Sequence, residues 1–231
     1  MPNDPLPPAD ANPSDDPRRR ERQARRRERS REEILDAARA VILRGGIGAA
    51  TLDAVAREVG VSKAALYYYY PSKDALLFEL IFGALETHAH GVHDAVEQAS
   101  DGGEALGALV RQSVEGFARH LDDFRLAFLY GQVASPGAVH FDAQQFARIR
   151  PLNTLILAGA VDKLKADGAA PDSGSGRADV EPRLMAFLAY LAAIGTLTMK
   201  GMVESMDDPL IYSDEQLIDG LARVFAAAAG S

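Results

Sequence analysis

Residues 51–73 read TLDAVAREVGVSKAALYYYYPSK, and this stretch decides the fold. Apolar residues recur at helical spacing on both sides of Gly60, and glycine adopts a left-handed turn at the least cost. Thr51 and Ser62 stand where each helical pattern begins, and their hydroxyls suit N-caps. Pro71 ends the second pattern. The spacing predicts two short crossed helices, which is a helix-turn-helix.

Helical periodicity divides the second of these helices into two faces, because successive residues are about 100° apart. The residues predicted to face inward are Leu66, Tyr69 and Tyr70. The predicted core shared by the two helices comprises Val55, Val59, Val61, Leu66 and Tyr69. The residues predicted to face outward are Ala64, Tyr67 and Tyr68, with Lys63 beside them. An outward face of this kind fits the major groove of DNA.

Residues 60–77, GVSKAALYYYYPSKDALL, resemble the DNA-binding domain of the tetracycline-repressor (TetR) family of transcriptional regulators. Residues 34–48 resemble that family's first helix and its glycine-containing exit, and the resemblance extends over residues 34–85. It implies an all-α protein with an N-terminal three-helix helix-turn-helix domain and a helical ligand-binding and dimerisation domain. It also implies a dimeric repressor, without enzyme activity or cofactor, released from a palindromic operator by a small, largely apolar ligand.

The candidate DNA contacts combine this resemblance with the chemistry of the outward face. Lys63 can reach a guanine edge or a phosphate, and the hydroxyls of Tyr67 and Tyr68 suit phosphate oxygens. The resemblance implies that Thr51 and Lys73 also contact phosphate. The predicted DNA-binding set is Thr51, Ser62, Lys63, Ala64, Ala65, Tyr67, Tyr68 and Lys73. Ala65 replaces a hydroxyl residue common in the family, so the operator sequence does not follow.

The charge is unevenly distributed along the chain. Residues 18–73 carry fourteen Lys and Arg against seven Asp and Glu, whereas the whole chain has a net charge of −8. A basic end on an acidic protein is typical of a local contact with nucleic acid. The predicted domains are a disordered extension over 1–30, a DNA-binding domain over 31–77 and a ligand-binding and dimerisation domain over 78–231.

Nine arginines crowd into residues 18–31, RRRERQARRRERSR. Such a run can follow a minor groove or the phosphates as a flexible arm. It can equally be a solubilising tail, or a stretch of helix in which Glu21 and Glu28 face arginines. The sequence leaves these alternatives open.

The composition predicts a cytoplasmic protein without a membrane partner. The chain has no cysteine, which excludes disulfides and thiol chemistry. Its N-terminus lacks the apolar region of a signal peptide, and we expect no apolar run as long as a bilayer span.

Helical patterns continue through the second domain, over 104–121, 124–134, 143–166, 182–205 and 214–228. The segment 182–205 is apolar nearly all round, and the last segment has one wide apolar stripe. A helix that is apolar nearly all round, such as 182–205, is expected to bury more than one face. These two helices are therefore predicted to form a two-fold dimer, which matches the two half-sites of a palindrome.

The middle helices are rich in aromatic residues, and the resemblance implies that they enclose a cavity for an unknown small-molecule effector. Largely apolar walls with isolated polar groups would suit a hydrophobic or amphipathic ligand. The predicted ligand-binding residues are Phe117, His120, Phe124, Arg125, Phe128, Asn153 and Tyr190. Each of them can equally be an ordinary core residue.

Two other readings of the sequence remain open. Glu86, His88, His90, His93 and Asp94 gather near the end of the helix that follows the motif. Glu86, His90 and His93 could share a helical face and bind a divalent metal, although a solvated polar face, with no metal, is favoured. That cluster is the only support for an all-helical enzyme with a DNA-binding end. The other alternative is a constitutive DNA-binding protein without ligand control.

Overall fold

The computed structural model describes residues 17–118, 121–129, 141–168, 180–206 and 212–230, and these ranges contain helices and no strand. The chain divides into two compact units, Met1–Leu76 and Leu77–Ser231. The helices are α1 Pro17–Ala49, α2 Leu52–Val59, α3 Lys63–Tyr69, α4 Lys73–Glu97, α5 Gly102–Ala118, α6 Leu121–Phe124 with a π-helical turn Arg125–Leu129, α7 Ala143–Gly168, α8 Pro182–Met206 and α9 Asp214–Ala229. The expected all-α fold is confirmed.

The helix-turn-helix forms where the sequence places it. The Thr51 hydroxyl accepts a hydrogen bond of 3.1 Å from the Ala54 amide, and the Ser62 hydroxyl accepts one of 3.1 Å from the Ala65 amide. Gly60 lies between the helices with φ of 78°, a left-handed conformation that costs a glycine little. Both N-caps and the turn are therefore as predicted.

The core of the first unit differs from the predicted one at three positions, of which Val59 is only half-buried. Leu66 is fully buried and Tyr70 is 1% exposed, but Tyr69 is only half-buried. Val61 is 38% exposed, contrary to its predicted place in the core. Val61 directly follows the turn glycine. Its amide donates a hydrogen bond to the Ala56 carbonyl, and its side chain faces outward.

The basic run is helical, which differs from the disorder expected over residues 1–30. Residues 17–30 belong to α1, and the expected domain boundary at residue 31 falls inside that helix. Ion pairs one turn apart support the helix, with Arg25 2.6 Å from Glu21 and Arg29 3.6 Å from Glu33. Residues 1–16 lie outside the described residues.

The second unit is built around α5, which packs against α7, α8 and α9. The start of α5 lies close to the end of α7, because the Gly102 amide donates to the Asp167 carboxylate at 2.6 Å. A Cβ at Gly102 would lie 2.7 Å from a Leu164 methyl carbon, so a larger residue does not fit. The glycines of the 100–103 turn therefore serve a close approach.

The apolar stripe of α9 is only partly buried within the chain. Ile218 is 2% exposed, and Leu221 and Phe225 are half-buried and pack against the same core, whereas Val224 is 63% exposed. The dimer through α8 and α9 stays a prediction.

Helix α8 has apolar residues on two faces. Its inward face includes Ala186, Ala189 and Leu197, all fully buried. Its outward face carries a stripe of exposed apolar residues, namely Leu184, Phe187, Leu188, Leu191 and Met199. Pro182–Lys200 has the length and the mean hydropathy, 1.4, of a bilayer span, so the expectation that no run reaches this length is wrong. The apolar composition is explained by the two faces together.

His88 lies in the core, although the sequence places it in a solvated polar cluster. It is 7% exposed, and its ring centroid is 4.5 Å from that of Phe117, 6.0 Å from that of Tyr190 and 6.4 Å from that of Phe128. Its Nε2 atom has no hydrogen-bond partner in the part of the chain that the structure describes. Burial lowers the pKa of His88 to about 4 and raises that of Tyr190. His88 is therefore a neutral imidazole in an aromatic cluster.

The proposed metal ligands do not converge. Glu86 and His90 are exposed, and His93 is half-buried. Among the residues with described positions, no group of three His, Asp or Glu side chains is arranged to hold a metal ion.

We expect replacement of His88 by Phe to remove one component of acid sensitivity. The folded-state pKa of about 4 lies below the ordinary 6.5, so the stabilising contribution is complete above pH 6.5 and is lost as the pH falls towards 4. The unfolded chain binds the proton first, which costs the wild type about 2 kcal/mol by about pH 5. Urea unfolding near pH 7.5 and near pH 5 measures the difference between wild type and variant.

Replacement of the exposed His90 by Gln is the matched control, and we expect it to retain the acid sensitivity of the wild type. Equal loss of stability in the His88→Phe variant and the wild type would contradict the assignment of this loss to His88.

Candidate nucleic-acid interface and effector region

Helix α3 presents a continuous outward face. Tyr67 is 45% exposed and Tyr68 is 66% exposed, and Ala64 lies on the same side, while Leu66 and Tyr70 are buried beneath. The division of the four tyrosines follows the predicted helical wheel for three of them, with Tyr69 between the two faces. An exposed aromatic and small-residue face of this size suits close approach to a DNA groove.

Lys63 joins the two helices of the motif. Its ammonium lies 2.8 Å from the Asp53 carboxylate and 5.8 Å from the Tyr67 ring centroid. The hydrogen bond with Asp53 raises the pKa of Lys63, so its charge is secure at neutral pH. Because both partners are exposed, the ion pair is weak and the lysine can exchange Asp53 for a phosphate or a base at little cost.

Thr51, Ser62 and Lys73 have structural roles in the first unit. The two hydroxyls accept the cap hydrogen bonds, which leaves their own protons for donation to a phosphate. The Lys73 ammonium donates to the Ile47 carbonyl at 2.9 Å and to that of Gly48 at 3.5 Å. The sequence predicted a phosphate contact for Lys73 and missed this bond, which joins residues far apart in the chain.

Two arginines that the sequence analysis treated only as part of a basic run lie against α3. The guanidinium carbon of Arg27 is 5.2 Å from the Tyr68 ring centroid, and that of Arg31 is 5.3 Å from the Tyr70 centroid. Their spacing of four residues places both on one face of α1. This spacing is the signal in the sequence that could have indicated a shared contact.

Four of the predicted effector residues come together around His88. Phe124 lies 5.7 Å from Phe117 and 5.3 Å from Phe128, measured between ring centroids, and Tyr190 lies on the other side of the histidine. We call these four aromatic residues and His88 the His88 cluster.

Two of the other predicted effector residues, Arg125 and Asn153, do not join this cluster. Arg125 pairs with Asp122 at 3.1 Å. Asn153 is exposed on α7. His120 lies outside the described residues.

An open groove of about 600 Å³ runs between α7 and α8. Its walls include Asn153, Leu157, Leu184, Phe187 and Tyr190. Tyr190 belongs both to this groove and to the His88 cluster, so the groove and the cluster are adjacent. Leu184 and Phe187 belong also to the exposed stripe of α8.

Comparison with known proteins agrees with this geometry. Residues 34–80 match the model of the family described as bacterial regulatory proteins, tetR family. A TetR/AcrR-family transcriptional regulator from Thermobifida fusca is similar in structure, with a TM-score of 0.62 and 21% identity over 85% of this chain and 96% of that one.

Two further solved structures have the same fold. A tetR-family regulatory protein from Rhodococcus RHA1 has a TM-score of 0.59 and 18% identity, over 87% of this chain and 95% of that one. The regulator FadR from Bacillus subtilis, solved in complex with stearoyl-CoA, has a TM-score of 0.62 and 15% identity, over 85% of this chain and 98% of that one. At these identities the similarity shows the fold of the part of the chain that is covered.

The family match covers α2 and α3 with the C-terminal part of α1 and the start of α4. Residues 34–80 therefore match the helix-turn-helix domain of the tetR family of bacterial regulatory proteins, and the described residues have the fold of TetR-family regulators.

Proposed function

We propose that this chain is a cytoplasmic, homodimeric repressor that leaves a palindromic operator when it binds a small, largely apolar ligand. Residues 31–77 act as the DNA-binding domain, and residues 78–231 provide the dimer contact and the effector site. The observation that carries the proposal is the outward face of α3, where Lys63, Tyr67 and Tyr68 are exposed. The opposite side of this helix is held by buried side chains, and Ser62 caps its N-terminus.

The proposed operator contacts have distinct roles. Lys63 exchanges Asp53 for a guanine edge or a phosphate, and Ala64 and Ala65 allow the backbone to approach the bases. The hydroxyls of Tyr67 and Tyr68 donate to phosphates, as do those of Thr51 and Ser62. Lys73 has its ammonium on two carbonyl groups, so its phosphate contact requires a change of partner.

Selection of bound sites from random duplex DNA at about physiological salt tests sequence recognition. We expect the wild type to enrich a palindrome, and the double variant Lys63→Ala, Tyr67→Ala to bind it at least about tenfold more weakly, because each base contact contributes about 1–3 kcal/mol. Lys73 is left unchanged because it holds the end of α1.

The matched control is Lys165→Ala, which removes one exposed positive charge from α7 in the other unit. We expect it to enrich the same palindrome as the wild type. DNA binding without any enriched sequence would instead favour a constitutive DNA-binding protein, the second candidate function.

The exposed stripe of α8 supports the homodimer. Leu184, Leu188 and Leu191 are between 42% and 48% exposed and recur at helical spacing. A row of large apolar residues on one helix is costly in water, and a second copy of the same stripe would cover it. A two-fold dimer would then present two copies of α3 to the two halves of a palindrome.

We expect Leu188→Glu to convert the dimer to a monomer in analytical ultracentrifugation and to reduce affinity for the palindrome at least tenfold or so, since only one half-site is then read by each molecule. The new carboxylate would be buried without a partner at the centre of the interface. Size and operator affinity are measured on the same samples.

Val224→Glu is the control, because Val224 is 63% exposed and belongs to α9, not to the α8 stripe. It should leave the dimer intact. Dissociation by Val224→Glu alone would place the interface on α9. A wild-type monomer that floats with lipid vesicles would identify a membrane as the occupant of the stripe and contradict the dimer.

The His88 cluster and the adjacent groove support control by a ligand. An unpartnered imidazole nitrogen within apolar rings offers one hydrogen bond to a mainly apolar molecule. Such a ligand lowers operator affinity only if it binds the DNA-free arrangement better, by linkage. The FadR structure with stearoyl-CoA indicates an acyl thioester as the first probe.

We expect stearoyl-CoA to release a fluorescently labelled operator from the wild type, whereas coenzyme A alone releases none, because the acyl chain supplies the apolar burial. The His88→Phe variant should need a higher concentration for half-release, since it cannot form the hydrogen bond. Fluorescence anisotropy measures release. Equal release by coenzyme A, or no release by either compound, would contradict an acyl ligand while leaving operator recognition intact.

A further inference from the structure

The N-terminal part of α1 carries charges that the operator contacts proposed above do not use. We call residues 17–31 the basic segment, and its residues from 17 to 29 are all exposed. The buried face of α1 begins at Ile34 and continues through Ala38 and Val41. Followed towards the N-terminus at helical spacing, that same face carries Arg31, Arg27 and Arg20. The face of α1 that packs in the core therefore continues towards the N-terminus as a row of arginines, which we call the arginine face.

Two cation–π contacts locate this arginine face relative to α3. Arg27 lies over the ring of Tyr68, and Arg31 lies over that of Tyr70. Tyr68 belongs to the outward face of α3 and is 66% exposed. The basic segment thus runs alongside the surface proposed to meet DNA, and all four residues belong to the first unit.

The charges of the basic segment are separated around the helix. At about 100° per residue, five arginines lie within a sector of about 140° that contains no acidic residue. These arginines, which we call the acid-free sector, are Arg19, Arg20, Arg26, Arg27 and Arg31. The acidic residues lie outside this sector, where Glu21 pairs with Arg25 and Glu33 pairs with Arg29. The positive charge is therefore concentrated on the side of α3.

We propose that the acid-free sector is a second DNA-binding surface, which contacts phosphates of the duplex beside the base pairs read by α3. This proposal rests on the proposed DNA-binding function and extends it. Arginine is suited to this role because its guanidinium binds phosphate oxygens in a bidentate way. The fifteen-residue segment is about 20 Å long, enough to pass several phosphates.

The helical form of the segment determines how it binds. A flexible basic arm loses conformational entropy when it enters a minor groove, whereas a preformed helix loses little. The Arg27 and Arg31 contacts hold the helix in place beside α3. The sector therefore contributes affinity that does not depend on base sequence and is sensitive to salt.

Two variants with equal charge test the proposal. The sector variant carries Arg19→Gln, Arg20→Gln and Arg26→Gln, and the opposite-face variant carries Arg18→Gln, Arg22→Gln and Arg25→Gln. Both lose three positive charges from the same segment, and both keep the two cation–π contacts. Affinity for the selected operator and for a random duplex is measured by fluorescence anisotropy over a series of salt concentrations.

The slope of log Kobs against log salt concentration is negative. We expect the sector variant to reduce its magnitude by up to about 2.7, since each phosphate contact contributes about 0.9. The opposite-face variant should lower it by less than about 0.9, the value of a single contact. The ratio of operator to random-duplex affinity should stay unchanged in both, because phosphate contacts carry no sequence information.

Equal slopes in the two variants would overturn the proposal, since the segment would then act only through its total charge. Loss of operator preference in the sector variant would also overturn it, in favour of base contacts in a groove. A wild type with no operator preference would contradict the proposed repressor function, and the slopes on random duplex would still decide the role of the sector.

Discussion

The burial of Leu66 and Tyr70 beneath α3 is the constraint on which the rest of the DNA-binding surface depends. A helix of seven residues is too short to be stable by itself, so α3 depends on its packing against α2 and on the contact of Arg31 of α1 with the Tyr70 ring. Burial of a leucine contributes about 1.5–3 kcal/mol, comparable to the net stability of a short element. Because Leu66 and Tyr70 face the core, Tyr67 and Tyr68 face the solvent.

The positions of the charged groups around α3 depend on the burial of Leu66 and Tyr70. The exposed tyrosines provide rings for Arg27 and Lys63, and Lys63 also reaches Asp53 on α2. Such exposed contacts contribute little to stability and orient the charges that a phosphate can attract. The net charge of −8 for the whole chain conceals this, because residues 18–73 carry a net charge of +7 and the rest of the chain carries −15.

The second unit shows how one apolar composition can serve two purposes. Helix α8 buries Ala186, Ala189 and Leu197 in its own core and leaves a second row of apolar residues outside. Small residues on the inner face allow close packing of helices, and large residues outside present area to a partner. Tyr190 lies between the two faces and connects the groove beside α7 with the His88 cluster. Effector binding and dimer contact are thus proposed for neighbouring parts of one helix.

The local features of this protein were determined by its sequence. The caps at Thr51 and Ser62, the turn at Gly60 and the bounds of α7, α8 and α9 depend on neighbouring residues, so the spacing of residue types was enough to predict them. The exposure of Tyr67 and Tyr68 could be predicted as well, because a helical wheel allows only a few of four consecutive residues to face inward.

Tertiary structure decided what depends on residues far apart in the chain. Val61 was predicted inside and is exposed, because the turn directs its side chain outward. His88 was predicted outside and is buried, because aromatic residues from α5, the π-helical turn and α8 surround it. The partners of Lys73 and the helical order of residues 17–30 likewise required the packed chain. Sequence periodicity shows which face of a helix is apolar, and only packing shows what covers that face.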